Sequence, residues 1–294
     1  LHAIPRPLQT SSAVSEQGEQ AGWILYAHEA LPLCTAVRIV LDSLSKVLPR
    51  LQVHFIDYPM CQNFSRRYLE RMPWGELPAL VDCEGEVVYG PMNIADFACE
   101  ETASSDCSML PSSPKARAIV RRWAGWARTC WHYQLMPLYW QDVGGPTLSK
   151  AFGSNRSALS AGLSASIDDV ARLEVDAGIA LRAYDNAQAS TTGTTTGVHQ
   201  SYGANSESEL AVRCRSVDAE LRRCAENGGK YLAGGSVPSV ADAFVAPVVE
   251  LALRKYVGTE VQEELGALRS WIADLKQEHP AFRENCTALA KAWG

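Results

Sequence analysis

Nine cysteines and six histidines are the side chains of this 294-residue chain that could support redox or metal chemistry. The cysteines are odd in number and scattered, and no two of them have the spacing of a CxxC motif. Neither a disulfide framework nor a zinc site is therefore indicated, and free cysteines favour a reducing compartment inside a cell. The histidines are equally dispersed, so we expect no metal site.

Cys34 is the cysteine whose surroundings most suggest redox chemistry. In Leu31-Pro-Leu-Cys34 the spacing is that of a redox CxxC pair, with Leu31 in the place of the first, nucleophilic cysteine. Leucine can neither ionise nor donate a hydrogen bond. Because a lone cysteine on an apolar helix usually packs in the core, we expect Cys34 to be a core residue.

Ser239 and Asp242 have the spacing of a helix capping box. In such a box the serine hydroxyl accepts from the amide three residues on, and the acidic side chain accepts from the serine amide. Both residues therefore have a predicted structural role, at the start of a helix over 239–256.

The elements before residue 102 alternate between strand and helix patterns. Gly22–Ala27 is a short apolar run typical of a strand, Thr35–Leu48 has helical spacing, and Leu51–Ile56 alternates with period two, which together predict a βαβ unit with parallel strands. A short helix over 61–72, a β-hairpin formed by 77–82 and 86–89, and a final helix over 92–101 complete the order βαβαββα.

The strand pattern ends beyond a linker over 101–114 that is rich in serine and proline. The sequence then predicts helices over 115–142, 158–184, 208–227, 239–256, 259–275 and 281–292. The low-complexity segment 188–207 lacks an aliphatic cluster and favours a mobile loop.

Charge and hydropathy exclude two classes of partner. The net charge of −6 provides no basic surface for nucleic acid, and no apolar run is long enough to span a bilayer. Residues 1–21 lack periodicity and form a predicted N-terminal extension. The start at Leu1 is compatible with removal of a mitochondrial import presequence; without such a presequence we expect the cytoplasm.

Three segments together carry a family resemblance: Met72-Pro-Trp-Gly-Glu-Leu-Pro-Ala-Leu80, Lys230 to Phe244, and Leu268 to Phe282, which ends in Pro-Ala-Phe. In this order and spacing they resemble the glutathione transferase superfamily, over about 22–130 and 208–284. The resemblance implies an α/β thioredoxin-like N-terminal domain at 22–102 and an all-α C-terminal domain at 115–294, with an insertion at about 143–207. It also implies a cis peptide bond before Pro78 and identifies Ser239 and Asp242 with the family's buried helix cap.

The same resemblance implies that the thiol-activating residue is missing. Members of the family hold glutathione as a thiolate with a Tyr, Ser or Cys near the start of the first helix, and Leu31 occupies that place. Tyr26 stands next to the position used by Tyr-type members, but strand alternation directs it to the opposite face of the sheet. Tyr26 and Cys34 are the candidates if the chain is active in a shifted register.

The site for the γ-glutamyl group is altered as well. The family exposes the backbone before the cis-proline, here Leu77 and Pro78, and holds the γ-glutamyl end with an acidic residue and a Ser or Thr that opens the third helix. Those last two positions are Gly90 and Pro91, which provide neither a charge, nor a hydroxyl, nor the amide N–H that proline lacks. We therefore expect no bound cofactor, and glutathione only if the enzyme hypothesis holds.

Three functions compete at this stage. The first is a glutathione transferase-like protein without transferase activity, a scaffold or accessory subunit of a larger protein complex, which could be mitochondrial. The alternative is an active glutathione-dependent transferase or thiol reductase. The third places an apolar small molecule in the cleft around Leu31, Leu77 and Trp123. We expect protein partners, and a homodimer is compatible with the family.

Further side chains on the helix predicted over 115–142 have simpler interpretations. We expect its aromatic residues to lie in the core or at a contact surface and not to line a substrate cleft. We expect its arginines to lie on a face exposed to solvent. These residues are Trp123, Trp126, Trp131, Tyr133, Tyr139 and Trp140, with Arg117, Arg121 and Arg122.

Overall fold

A four-stranded mixed sheet forms the centre of the N-terminal half in the computed structural model, which describes residues 22–102, 109–167, 173–191 and 199–294. The strands are β1 Trp23–Ala27, β2 Leu51–Phe55, β3 Ala79–Val81 and β4 Val87–Tyr89. Their order across the sheet is β2-β1-β3-β4. β1 is parallel to β2 and antiparallel to β3, and β3 is antiparallel to β4.

Three helices complete this half in the predicted order βαβαββα. They are α1 Pro32–Ser43, α2 Arg66–Leu69 after a short 3₁₀ turn, and α3 Pro91–Glu101. The sequence pattern predicted that α1 starts at Thr35, which is three residues too late. The helix begins at Pro32, since proline is well suited to the first position of a helix.

The C-terminal half is helical in the residues that the structure describes. Its first part is a nearly continuous rod in which π-helical turns at Trp131–Leu135 and Trp140–Gly144 join three helices. The helices of this half are α4 Pro114–Cys130, α5 Met136–Tyr139, α6 Gly145–Phe152, α7 Arg156–Ser166, α8 Gly178–Thr191, α9 His199–Glu226, α10 Val240–Leu251, α11 Thr259–Glu264, α12 Gly266–Glu278 and α13 Pro280–Ala292.

The predicted loop at 188–207 is wrong where the structure describes it. Helix α8 extends to residue 191 and α9 begins at 199, while 192–198 lie outside the described residues. Leu210, Cys214 and Val217 anchor α9 in the core, and helix growth from an anchored segment adds one hydrogen bond per residue. The extension 1–21 and residues 103–108 of the linker are also outside the described ranges.

Helix α10 lies at the centre of the molecule. Eleven of its twelve residues are buried, and it packs against both α1 and α4, so it joins the two halves through one core. Within the described ranges no helix combines the length and the apolar character needed to cross a membrane.

A second hydrophobic cluster belongs to the predicted insertion. Leu148, Leu159, Leu163 and Tyr184 pack with Phe64 of the segment that follows β2. This part of the C-terminal half therefore packs directly on the N-terminal half.

Candidate functional site

A cleft of about 820 Å³ lies between the end of the sheet and helix α4. Its N-terminal wall is formed by the segment 74–77 and by the start of α3, and its opposite wall by α4 and the π-turn that follows. Leu31, Leu33 and Phe244 give it an apolar floor. This volume lies in the range of small-molecule sites.

Leu31 lies at the start of α1 and borders the cleft. It is the residue that precedes the helix, and only 4% of it is exposed. Its side chain provides no acceptor, donor or ionisable group. The next residue, Pro32, has no N–H, so the first amide of the helix is missing at the same place.

Tyr26 lies on the other face of the sheet, away from α1. Its ring contacts those of His54, at 5.4 Å between centroids, and Tyr68, at 5.8 Å. Neighbouring β1 residues Leu25 and Ala27 pack toward α1 instead. Tyr26 does not border the cleft.

Cys34 is fully buried in α1. Its sulfur accepts a hydrogen bond from the backbone N–H of His28 at 3.5 Å. Burial raises the pKa of the Cys34 thiol to about 12. The thiolate required for nucleophilic chemistry is therefore strongly disfavoured at this position.

Alkylation of the folded chain by iodoacetamide at about pH 8 should leave Cys34 unmodified, because only on the order of one thiol in ten thousand is ionised four pH units below its pKa. Cys83, exposed in the β3–β4 turn, is the matched control and should react fully. Mass spectrometry of tryptic peptides measures both. Modification of Cys34 at the rate of Cys83 would instead favour the thiol-dependent enzyme.

The peptide bond between Leu77 and Pro78 is cis. Leu77 borders the cleft, and neither its N–H nor its carbonyl oxygen makes a hydrogen bond to another described residue. The backbone before Pro78 is thus available to a ligand.

Gly90 and Pro91 form the start of α3 at the rim of the cleft. Gly90 has a φ of 80°, a conformation that favours glycine, and Pro91 is the first residue of the helix. A carboxylate oxygen of Glu76 lies 3.8 Å from the point where a Cβ on Gly90 would stand. A negative charge is therefore present beside Gly90, supplied by a different segment.

Sequence reasoning missed Tyr58, which belongs to this site, and His28, whose ring packs beside that of Tyr58 at 5.9 Å between centroids. Half-buried Tyr58 borders the cleft, and burial raises the pKa of its hydroxyl well above the usual range. The ring of His28 bonds the Ile56 carbonyl oxygen at 2.8 Å and the Tyr139 hydroxyl at 3.2 Å, and burial lowers its pKa. His28 therefore bonds both halves of the chain as a neutral imidazole.

The aromatic and basic residues of the helical rod divide between core and cleft. Trp131 borders the cleft together with Leu31 and Leu77, whereas Trp123 does not. Trp123 is a core residue. Arg121 also borders the cleft, whereas Arg122 pairs with Glu220 at 2.8 Å.

The capping box of Ser239 and Asp242 is present and buried. One carboxylate oxygen of Asp242 accepts from the Ser239 N–H and hydroxyl, both at 2.8 Å. The other accepts from the Leu232 N–H at 3.0 Å and the Trp271 indole N–H at 3.1 Å. Burial raises the pKa of Asp242, and the four donors oppose that effect.

Within the described ranges, no group of three or more His, Cys, Asp or Glu side chains is arranged to hold a metal ion.

No protein-family model matches the sequence, and the search of curated proteins found no significant match. Solved structures are similar across nearly the whole chain. The β-etherase LigF from Sphingobium sp. strain SYK-6 has a TM-score of 0.68 at 17% identity, covering 90% of this chain and 98% of that one. Ure2p in complex with glutathione has a TM-score of 0.61 at 13% identity, with 92% and 96% covered.

A diazinon-metabolizing glutathione S-transferase of the silkworm, Bombyx mori, has a TM-score of 0.56 at 15% identity, and the similarity covers 92% of this chain and 99% of that one. These similarities agree with a four-stranded mixed sheet followed by a helical second half. The chain therefore has the glutathione transferase fold.

Proposed function

We propose that this chain lacks transferase activity and acts as a scaffold or accessory subunit of a larger intracellular protein complex. The observation that carries the proposal is Leu31, an aliphatic side chain at the start of α1, on the floor of the cleft. A thiol with an ordinary pKa near 8.5 needs a nearby donor or positive charge to ionise at neutral pH, and leucine supplies neither.

The alternative residues do not repair this loss. Tyr26 lies on the far face of the sheet, and Cys34 is buried with a raised pKa. The fold itself is intact, because the shared core around α10 and its capping box are both present. A stable fold in which none of Leu31, Tyr26 and Cys34 can activate a thiol supports a role in binding proteins.

Glutathione conjugation to 1-chloro-2,4-dinitrobenzene should proceed at the uncatalysed rate in the presence of the purified chain, whereas active enzymes accelerate their reactions by about 10⁶-fold or more. Absorbance of the conjugate measures the rate.

Native electrophoresis of an extract of the source cells should find the chain in a discrete assembly. A free monomer or dimer there, or catalysed conjugation, would contradict the proposal.

A second candidate, a glutathione-dependent enzyme, is favoured by Glu76. Its carboxylate beside Gly90 could hold an ammonium group, and the Tyr58 hydroxyl in the cleft could donate to sulfur. Calorimetric titration with glutathione separates the two candidates. The scaffold predicts no binding at about 1 mM; the enzyme predicts binding that is lost in Glu76→Gln and kept in Glu84→Gln, an exposed glutamate of the β3–β4 turn.

A further inference from the structure

Two arginines face the cleft from one side of α4. Arg121 and Arg128 are exposed and border it, seven residues apart, which places them about 10 Å apart along the helix axis. Arg121 pairs with Asp96 at 3.7 Å, whereas Arg128 makes no ion pair with any described residue. The α4 wall therefore attracts negative charge, chiefly through Arg128, because Asp96 already pairs with Arg121. Glu76, next to Leu77, makes the opposite wall negative, so an acidic ligand is favoured only along α4.

The opposite wall presents backbone groups. The N–H and the carbonyl oxygen of Leu77 both lack a partner among the described residues, next to the cis bond. A segment of extended polypeptide can satisfy such a pair of groups with its own backbone, as in strand addition to a sheet.

The mouth of the cleft has an uncovered aromatic side chain. Trp74 borders the cleft and is 67% exposed, which is unusual for a tryptophan away from an interface. Tryptophan is also the residue type that most often anchors a protein partner. A small anion held at one arginine would leave the other arginine and Trp74 uncovered.

We infer that the cleft binds an extended, acidic segment of a partner protein. Its backbone pairs with Leu77, its carboxylates face Arg121 and Arg128, and an apolar side chain covers Trp74. Same-side residues of an extended chain recur at about 6 to 7 Å, so two acidic residues can reach both guanidinium groups through the flexible arginine stems. This inference rests on the proposed function and names the partner chemistry of a scaffold.

The test is selection of a phage-displayed library of linear peptides on the full 294-residue chain. Enriched peptides should contain paired acidic residues beside an apolar one. Their synthetic versions, with both termini blocked, should bind about tenfold or more weakly to Arg128→Glu and to Trp74→Ala. Lys115→Glu is the matched control, because it makes the same charge change on α4 outside the cleft lining, and it should bind as the unmodified chain does.

Absence of enrichment would overturn the inference, as would selected peptides without acidic residues or binding that both cleft variants retain. All three substitutions are at exposed residues, so folding is expected to persist, and thermal unfolding checks this. The conjugation assay is independent of this result. A failed selection with no catalysed conjugation would refute the cleft as the docking site and leave the non-catalytic function standing.

Discussion

Replacing Asp242 with alanine should destabilise the chain by about 3 to 5 kcal/mol, a large part of the stability of a typical domain. The carboxylate is completely buried and accepts four hydrogen bonds, two at each oxygen. Its removal leaves the Ser239 and Leu232 amides and the Trp271 indole N–H buried without acceptors. Each unsatisfied buried donor costs about 1 to 3 kcal/mol.

Urea unfolding followed by circular dichroism measures this effect, and two further variants define its cause. Asp242→Asn should also destabilise, because whichever way the amide is turned, its NH₂ group faces at least one N–H group that can only donate. Asp274→Ala on α12, whose half-buried carboxylate makes no hydrogen bond to a described residue, should change the free energy of unfolding by less than about 0.5 kcal/mol. Equal effects of Asp242→Ala and Asp274→Ala would show that the capping box contributes little.

The capping box could be predicted from the sequence because its two residues are three positions apart. The same is true of β1, α1 and β2, whose patterns depend on neighbours along the chain. Prediction failed at 188–191 and 199–207, where local composition favours a loop but the structure has helix. The helix over 199–207 continues from the part of α9 that Leu210 and Val217 anchor in the core, outside the predicted loop.

The cleft was predicted only in part, for a related reason. Strand alternation was enough to expect Tyr26 on the far face of the sheet, and an apolar helix was enough to expect Cys34 in the core. The approach of Glu76 to Gly90 joins segments on either side of the β3–β4 hairpin, so it follows from the sheet and not from spacing. The aromatic series was expected in the core or at a contact surface, and Trp123 is a core residue. Helical periodicity defines a face but not which neighbour covers it, so the position of Trp131 in the cleft lining could not be predicted.

The C-terminal tryptophan is a second position where one substitution should have a large effect. Trp293 is 2% exposed, and its indole N–H donates to the Ala30 carbonyl oxygen at 2.7 Å. Its ring lies against Tyr139 and Tyr256, with centroids at 6.0 and 6.2 Å, and its own carbonyl accepts from the Lys255 ammonium. Trp293 thereby attaches the end of α13 to the segment that leads into α1.

Trp293→Ala should cost about 3 to 5 kcal/mol in urea unfolding, the range for removal of a buried aromatic side chain, and should leave the Ala30 carbonyl without its partner. Trp293→Phe keeps most of the ring contacts and loses the hydrogen bond, so its cost should be nearer 1 to 2 kcal/mol. Trp74→Ala, which removes an exposed tryptophan, should cost less than about 0.5 kcal/mol. Ala30 directly precedes Leu31 on the cleft floor. A small effect of Trp293→Ala would therefore mean that Trp293 is not needed to hold α1 and the cleft floor in place. The contacts that His28 and α10 make between the two halves would then account for the position of α1.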